Sequence, residues 1–277
     1  MQPPIWIGRT DWNDCLNLNC FSWDPNESFQ TTENKGEGSK AESLMIAGLF
    51  VVTGKDNVAL CKQLAKEAAN SSEGTIAGLA ENDYLAEANR MQQAVDQMSE
   101  AVKQHGWDGE WFLRAYDFFC NNNPWVIIGE TVAGRGNDAW NHYTKILPSY
   151  VEEKYQTLHK VEPYVNCQMV AGKDAARPGE GKNSWLTGTA AWMWYTVSEF
   201  ILGIKPDYEG LLIDPCLPST AKEYEVVRKF RGGEYHIVIK NPDGKEKGVS
   251  RITVDGKLIS GTIVPCSPGK HEVHVEM

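Results

Sequence analysis

The sequence predicts a mostly helical protein with a β appendage: a helical toroid, in which paired helices surround a central cleft, followed by a small β domain. Three observations predict it. Apolar residues recur at helical spacing through much of the stretch from residue 41 to residue 202. The helical patterns there are short and are joined by long polar loops. After Gly203 the pattern switches to the alternation of strands, with Pro215, Pro218 and Asp-Gly pairs as punctuation. The boundary divides the chain into a helical body over 1–206 and a β domain over 207–277.

The elements follow in order. Residues 1–39 are rich in Gly, Asn, Asp, Pro and Ser and read as loop, with 34–39 an exposed turn. Met45, Ile46, Leu49 and Phe50 form one apolar face of a helix that begins near Ala41, and Gly54 fits its stop. Residues 56–69 and 83–105 read as two more helices. In the second, Leu85, Ala88, Met91, Ala94, Val95, Met98 and Val102 recur at helical spacing. Further helices are predicted at 125–133, 137–146, 163–171 and 188–202. Strands are predicted at Glu223–Phe230, Gly233–Lys240, Arg251–Val254 and 272–277. Asn241-Pro242-Asp243-Gly244 reads as a turn and Asp255-Gly256 as a hairpin. The last strand alternates, with Val273, Val275 and Met277 on one face.

Composition narrows the function. The chain has 277 residues, 42% hydrophobic and 23% charged, which predicts a packed core and room for one large or two modest domains. A formal net charge of −10 argues against a nucleic-acid partner, whose phosphates call for clustered Lys and Arg. It suits a small neutral or sugar ligand. The seven cysteines are widely spaced and form no zinc-type pattern, so free thiols in a reducing cytoplasm and no metal are expected. Met1-Gln2-Pro3-Pro4-Ile5-Trp6 has neither the basic nor the apolar region of a signal peptide. No run approaches the roughly 18 apolar residues of a membrane span, so no membrane partner is expected.

Two segments carry chemistry. The first is Asp11-Trp12-Asn13-Asp14-Cys15-Leu16-Asn17-Leu18-Asn19-Cys20. A Trp face stacks on a pyranose ring, a nearby carboxylic acid can reach a glycosidic oxygen, and amides can hold sugar hydroxyls. The same residues also suit an ordinary turn, because Asp and Asn bond their own backbone. The second segment runs from Gly181 to Trp192 and leads into an apolar helix. A helix N-terminus offers unpaired N–H groups to an anion. Gly188 would let the anion approach the backbone, and Thr187 or Thr189 would add a hydroxyl. Ser184 or Thr187 could equally act as a plain helix cap. Gln168 stands among apolar neighbours and needs partners if buried, either a sugar hydroxyl or a backbone group.

The segments IGRTDWNDCLNLNCFSWDPNESFQTTENK, GWDGEWFLRAYD, NPWVIIGETVAGRG, EPYVNCQMVAGKDAARPGEGKNSWLTGTAAW and LGIKPDYEGLLIDPCLPS resemble, in order, the C-terminal part of the cellobiose phosphorylase family. These are inverting disaccharide phosphorylases and include chitobiose phosphorylase. The resemblance implies part of an (α/α)6 barrel followed by a C-terminal β domain. It implies reversible phosphorolysis of a β-glucoside: cellobiose and inorganic phosphate give α-glucose 1-phosphate and glucose. No cofactor is implied beyond phosphate as co-substrate, and a homodimer is implied. Asp14 takes the place of the general acid, Trp12 contacts the sugar, Gln168 lines the sugar site, and Thr187 with Gly188 holds phosphate. An inverting glycosidase needs a second carboxylate to activate water. A phosphorylase does not, because phosphate arrives as an anion and attacks directly. Asp14 must then hold its proton near neutral pH, by burial or beside the phosphate charge.

The chain departs from that pattern twice. It begins just before the general-acid motif, and the family's N-terminal β domain, helical linker and first barrel helices have no counterpart. Several dozen family residues are also missing between GWDGEWFLRAYD and Asn121-Asn122-Asn123-Pro124-Trp125. Asn121 stands where the family has a phosphate-binding His, and an amide carries no positive charge. The expectation is a partial enzyme, inactive as an isolated chain. The alternative is a catalytically dead remnant acting as a sugar-binding or interaction module. An inverting hydrolase would need a general base, for which Glu42 and Asp108 have no motif support.

Overall fold

The computed structural model describes residues 44–107, 109, 112, 117–119, 122–171, 177–184 and 188–277. In chain order these form α1 (Leu44–Asn70), β1 (Thr75–Ile76), β2 (Leu79–Ala80), α2 (Glu81–His105), β3 (Asp117–Phe119), α3 (Asn122–Val132), α4 (Gly136–Lys145), α5 (Pro148–His159), β4 (Cys167–Ala171), β5 (Gly181–Ser184) and α6 (Thr189–Tyr195). A π-helical turn, Thr196–Ile201, extends α6. The strands β6 (Ile204–Pro206), β7 (Gly210–Ile213), β8 (Glu223–Phe230), β9 (Gly233–Lys240), β10 (Arg251–Val254), β11 (Lys257–Leu258), β12 (Ile263–Pro265) and β13 (Gly269–Glu276) follow. The architecture is therefore mixed, with strands inside the helical stretch as well as after it. The described residues divide into two compact units, one reaching Gly129 and including Lys145–Thr189, the other comprising Glu130–Thr144 and Ala190–Met277.

In the first unit α1 and α2 form an antiparallel pair. They are joined through β1 and β2, whose two-residue turn places Ala77 and Gly78 at positive φ, the geometry of a tight hairpin. Asp83 accepts a hydrogen bond from the Ala80 backbone N–H at 2.9 Å and so fastens the start of α2. Between the helices lie Val58, Cys61 and Ala88, then Ala65, Ala68 and Tyr84. Gly54 does not stop the first helix. A Cβ there would overlap Val95 of α2, so the glycine is the notch that receives Val95, and the helix runs on. Gly48 does the same toward α3: a Cβ would stand 2.7 Å from the Trp125 carbonyl oxygen. Gly129 faces it, with a Cβ position 3.3 Å from the Gly48 carbonyl oxygen.

By length and composition α1 is apolar enough to cross a membrane, which corrects the expectation that no segment approaches that measure. Lys55 and Asp56 sit at its middle, and Lys55 donates to Gln92 of α2 at 3.0 Å. The arrangement is that of a core helix packed along one face.

The predicted helix over 163–171 is instead a turn and a strand. Tyr164 has φ 62 and Lys160, just past α5, has φ 55; left-handed residues at both places break a helix. β4 then pairs antiparallel with β3 and β5, in the order β3-β4-β5. A short apolar run cannot be told from a helix by periodicity, and here strand pairing decides. α5, with Pro148 at its first turn, has no counterpart in the predicted elements.

The second unit is built on two sheets. One has the order β11-β10-β13-β9-β8, antiparallel except for the parallel pair β13 and β9. The other is β12-β7-β6, antiparallel throughout. Leu211 and Ile213 of β7, Tyr235, Ile237 and Ile239 of β9, and Val273, Val275 and Met277 at the C-terminus share one buried cluster. Each such side chain contributes about 1.5–3 kcal/mol by leaving water. α4 is fastened within this unit. A Cβ on Gly136 would overlap the Leu217 carbonyl oxygen. Asn137 donates its backbone N–H to Glu246 at 2.9 Å and accepts the Ser219 N–H at 2.9 Å. On the outer face of the larger sheet, His236 lies between Glu225 at 3.2 Å and Glu272 at 2.9 Å.

Gly136→Ala should destabilise the second unit by about 1–3 kcal/mol or more, because backbone and not a flexible side chain blocks the methyl; a lower urea midpoint checks it. Hydrogen bonds that His236 donates to Glu225 and then to Glu272 raise its pKa above 6.5. That stabilisation is complete below the unfolded pKa and is lost as pH rises through the folded one. An NMR titration should place His236 above 6.5, and Glu225→Gln should move the midpoint down.

Candidate active site

Of the residues the sequence nominates, Trp12, Asp14 and Thr187 lie outside the described residues. Gln168 and Gly188 are described. Gln168 is half-buried on β4. Gly188 is exposed, at the bend just ahead of α6, and the next residue, Thr189, is buried.

Strand register links these two. Cys167 pairs with Ser184, so the start of β4 lies beside the end of β5. The chain that leaves Ser184 reaches Gly188 four residues later. Four residues span at most about 13–14 Å. The amide of Gln168 and the glycine of the anion segment are thereby tethered to the same end of one hairpin. Such a hairpin can present an amide to sugar hydroxyls and feed a following segment toward an anion.

On the other face of β4 the described side chain is Cys167. Cys167 and Gln168 are adjacent in an extended strand and point to opposite sides. Cys167 is buried, with its Sγ 3.7 Å from His159 Nε2, and His159 Nδ1 is 3.3 Å from the Gly179 carbonyl oxygen. Beside it, Glu180 faces Arg177 at 3.4 Å and Lys160 at 3.7 Å. In the sequence Cys167 is one cysteine among seven, and nothing there marks its pairing with His159. Reading Tyr164-Val165-Asn166-Cys167 as helix hides the alternation that puts Cys167 and Gln168 on opposite faces.

A second buried pair lies in the other unit. His142 Nδ1 is 2.8 Å from Glu130 Oε1 and 3.0 Å from Oε2. Burial pushes the Glu130 carboxyl up, and the hydrogen bond from His142 opposes that. Nearby, burial pushes the Cys216 thiol up to about 12, so it stays a thiol at neutral pH. The pair joins α3 to α4 across the Gly134–Arg135 turn. Its sequence signal, a Glu in GETVAGRG and a His twelve residues on, is too sparse to read alone. Among the described residues no group of three His, Cys, Asp or Glu side chains is arranged to hold a metal ion.

Comparison with known proteins defines the class. The catalytic domain of the glycosyl hydrolase 94 superfamily matches residues 4–118 and 117–203. The two matches meet at Asp117–Phe118, where the sequence reading places its internal gap. The chain belongs to this family. Among curated proteins it is 39% identical over 151 residues to N,N'-diacetylchitobiose phosphorylase of Vibrio proteolyticus, covering 54% of this chain and 19% of that protein. It is 34% identical over 157 residues to the enzyme of the same name in Vibrio furnissii, covering 57% and 20%. It is 36% identical over 161 residues to solabiose phosphorylase of Paenibacillus borealis, covering 57% and 21%. The chain is therefore related to disaccharide phosphorylases and spans about a fifth of their lengths.

His142→Ala should leave a buried carboxylate without this partner and cost about 3–5 kcal/mol of stability. Glu130→Gln keeps a hydrogen-bonding group without the charge and should cost less. Urea midpoints of the two variants check the order.

Proposed function

We propose that this chain carries the general-acid and phosphate-cradle portions of an inverting β-glucoside phosphorylase. The carrying observation is the family match, whose two ranges include both the Asp14 motif and the Thr187–Gly188 segment. Its helices would contribute to an (α/α)6 toroid. In the proposed reaction the Asp14 carboxylic acid gives its proton to the glycosidic oxygen. A phosphate oxygen attacks the anomeric carbon from the opposite face. The carbon–oxygen bond breaks, glucose leaves, and α-glucose 1-phosphate forms with inverted configuration. Trp12 stacks on the sugar, Gln168 binds a hydroxyl, and Thr187 with the Gly188 backbone holds phosphate. Inorganic phosphate is the co-substrate.

Cellobiose is the disaccharide we propose, on the resemblance in the sequence. The relatives, an N,N'-diacetylchitobiose phosphorylase and a solabiose phosphorylase, support the disaccharide class. The cytoplasm, as the compartment that supplies phosphate and keeps free thiols reduced, fits the proposal, as does a homodimer.

The isolated chain is proposed to be inactive. Its match spans 19% of the Vibrio proteolyticus enzyme, and by the family resemblance Asn121 stands in place of a phosphate-binding His. That same Asn121 favours a second reading, a remnant that binds sugar without turning it over.

Purified chain given cellobiose and phosphate should release no measurable glucose 1-phosphate; turnover at roughly 1–10³ per second would contradict the inactivity. The assignment of Asp14 is tested in a hybrid. Residues 4–118 of this chain replace the matching segment of the Vibrio proteolyticus phosphorylase. The hybrid should phosphorolyse disaccharide, and Asp14→Asn in it should cost about 10²–10⁴-fold in rate. An Asp14→Asn hybrid that keeps its rate would remove Asp14 from the mechanism.

A further inference from the structure

The proposed chemistry leaves the imidazole of His159 unused. It is the last residue of α5, and it is 7% exposed. Its two ring nitrogens face different partners, the Gly179 carbonyl oxygen at 3.3 Å and the Cys167 sulfur at 3.7 Å. A carbonyl oxygen only accepts, so Nδ1 carries a proton. In a neutral ring Nε2 is then the acceptor, and the Cys167 thiol is the donor. The alternative, a thiolate beside an imidazolium, would bury two charges at a cysteine that is 2% exposed. Gly181, the first residue of β5, closes the same knot. A Cβ there would stand 3.1 Å from His159 Cε1 and 2.8 Å from Val161. One ring thus ties together the end of α5, strand β4 and the turn that leads into β5.

We propose that His159 is the positioning residue of the β4–β5 hairpin and through it of Gln168. It grips β4 from the face opposite the amide, by the Cys167 thiol, and grips the approach to β5 by the Gly179 carbonyl. The strand cannot slide or twist without breaking one of these bonds. The backbone that carries Gln168 is therefore held before any sugar arrives, and the ordering cost of binding falls on the side chain alone. The clamp rests on the reading of Gln168 as the sugar-binding amide for its purpose, but not for its geometry.

The test uses the whole chain and has three readings. Long-range proton–nitrogen NMR should show His159 protonated at Nδ1 and bare at Nε2. Cys167→Ala should speed amide exchange in β4 and β5 by about tenfold while leaving the five-stranded sheet unchanged. Cys167→Val, which fills the space without donating, should exchange as fast as Cys167→Ala, which a packing role for the sulfur would not produce. A proton on Nε2, an imidazolium, or equal exchange in wild type and Cys167→Ala each overturns the clamp. Cellobiose is then added and the Gln168 side-chain amide signals are followed. They should shift in wild type and shift less in Cys167→Ala; equal shifts overturn the positioning role. A wild-type amide that ignores sugar, in a hairpin that exchanges as described, overturns the reading of Gln168 and leaves the clamp supported.

Discussion

The helical unit depends on how closely α1 can be approached. Three glycines remove side chains where other helices meet its backbone. Gly54 admits Val95 of α2, and Gly48 with Gly129 brings α3 to carbonyl contact. Replacing any of them with a larger residue separates the helices and removes dispersion contacts along the seam. The helix packs along one face, and its charged residues, Lys55, Asp56, Lys62, Lys66 and Glu67, lie among its less buried positions. Once α1 is placed, α2 and the beginning of α3 have fixed lines to follow.

A comparable close approach organises the second unit, through Gly136 against Leu217, with Asn137 between Glu246 and Ser219. Backbone contact of this kind is stiff, because neither partner can rotate away. The buried cluster around Tyr235, Ile237 and Val273 supplies the free energy. The glycine contact supplies the position of α4.

Much of the fold was legible where one periodicity dominated. β8, β9 and β10 fall on the residues that alternation marks, and Val273, Val275 and Met277 share the buried face as read. α2 is recovered because its apolar residues hold helical spacing over seven positions. The failures have physical causes. Gly54 looks like a stop because a glycine's tertiary use, as a notch, leaves no local signature. Residues 163–171 look helical because their apolar run is short, and the left-handed Tyr164 and the pairing with β3 and β5 are long-range facts. α5 is too polar for its buried positions, such as Val151, to announce a helix. The candidate site was legible differently. Asp14, Trp12, Gln168, Thr187 and Gly188 take their roles from the resemblance to the phosphorylase family, and of these the structure describes Gln168 and Gly188. The His159–Cys167 and Glu130–His142 pairs depend on folded contacts between separate elements, and no spacing rule points to them.

The proposed mechanism requires the acid and the phosphate cradle to belong to one site. An inverting displacement puts phosphate on the face of the anomeric carbon opposite the departing oxygen. The Asp14 carboxylate and the Thr187 hydroxyl must then flank one sugar ring, at about the separation of the paired carboxyls of inverting hydrolases, roughly 6.5–9.5 Å, or somewhat more. The direct measurement is that separation in a crystal structure of the chain grown with glucose and phosphate. The mechanism predicts both groups in one cleft, with Trp12 and Gln168 lining it and phosphate at Gly188. Asp14 and Thr187 on opposite faces would contradict it.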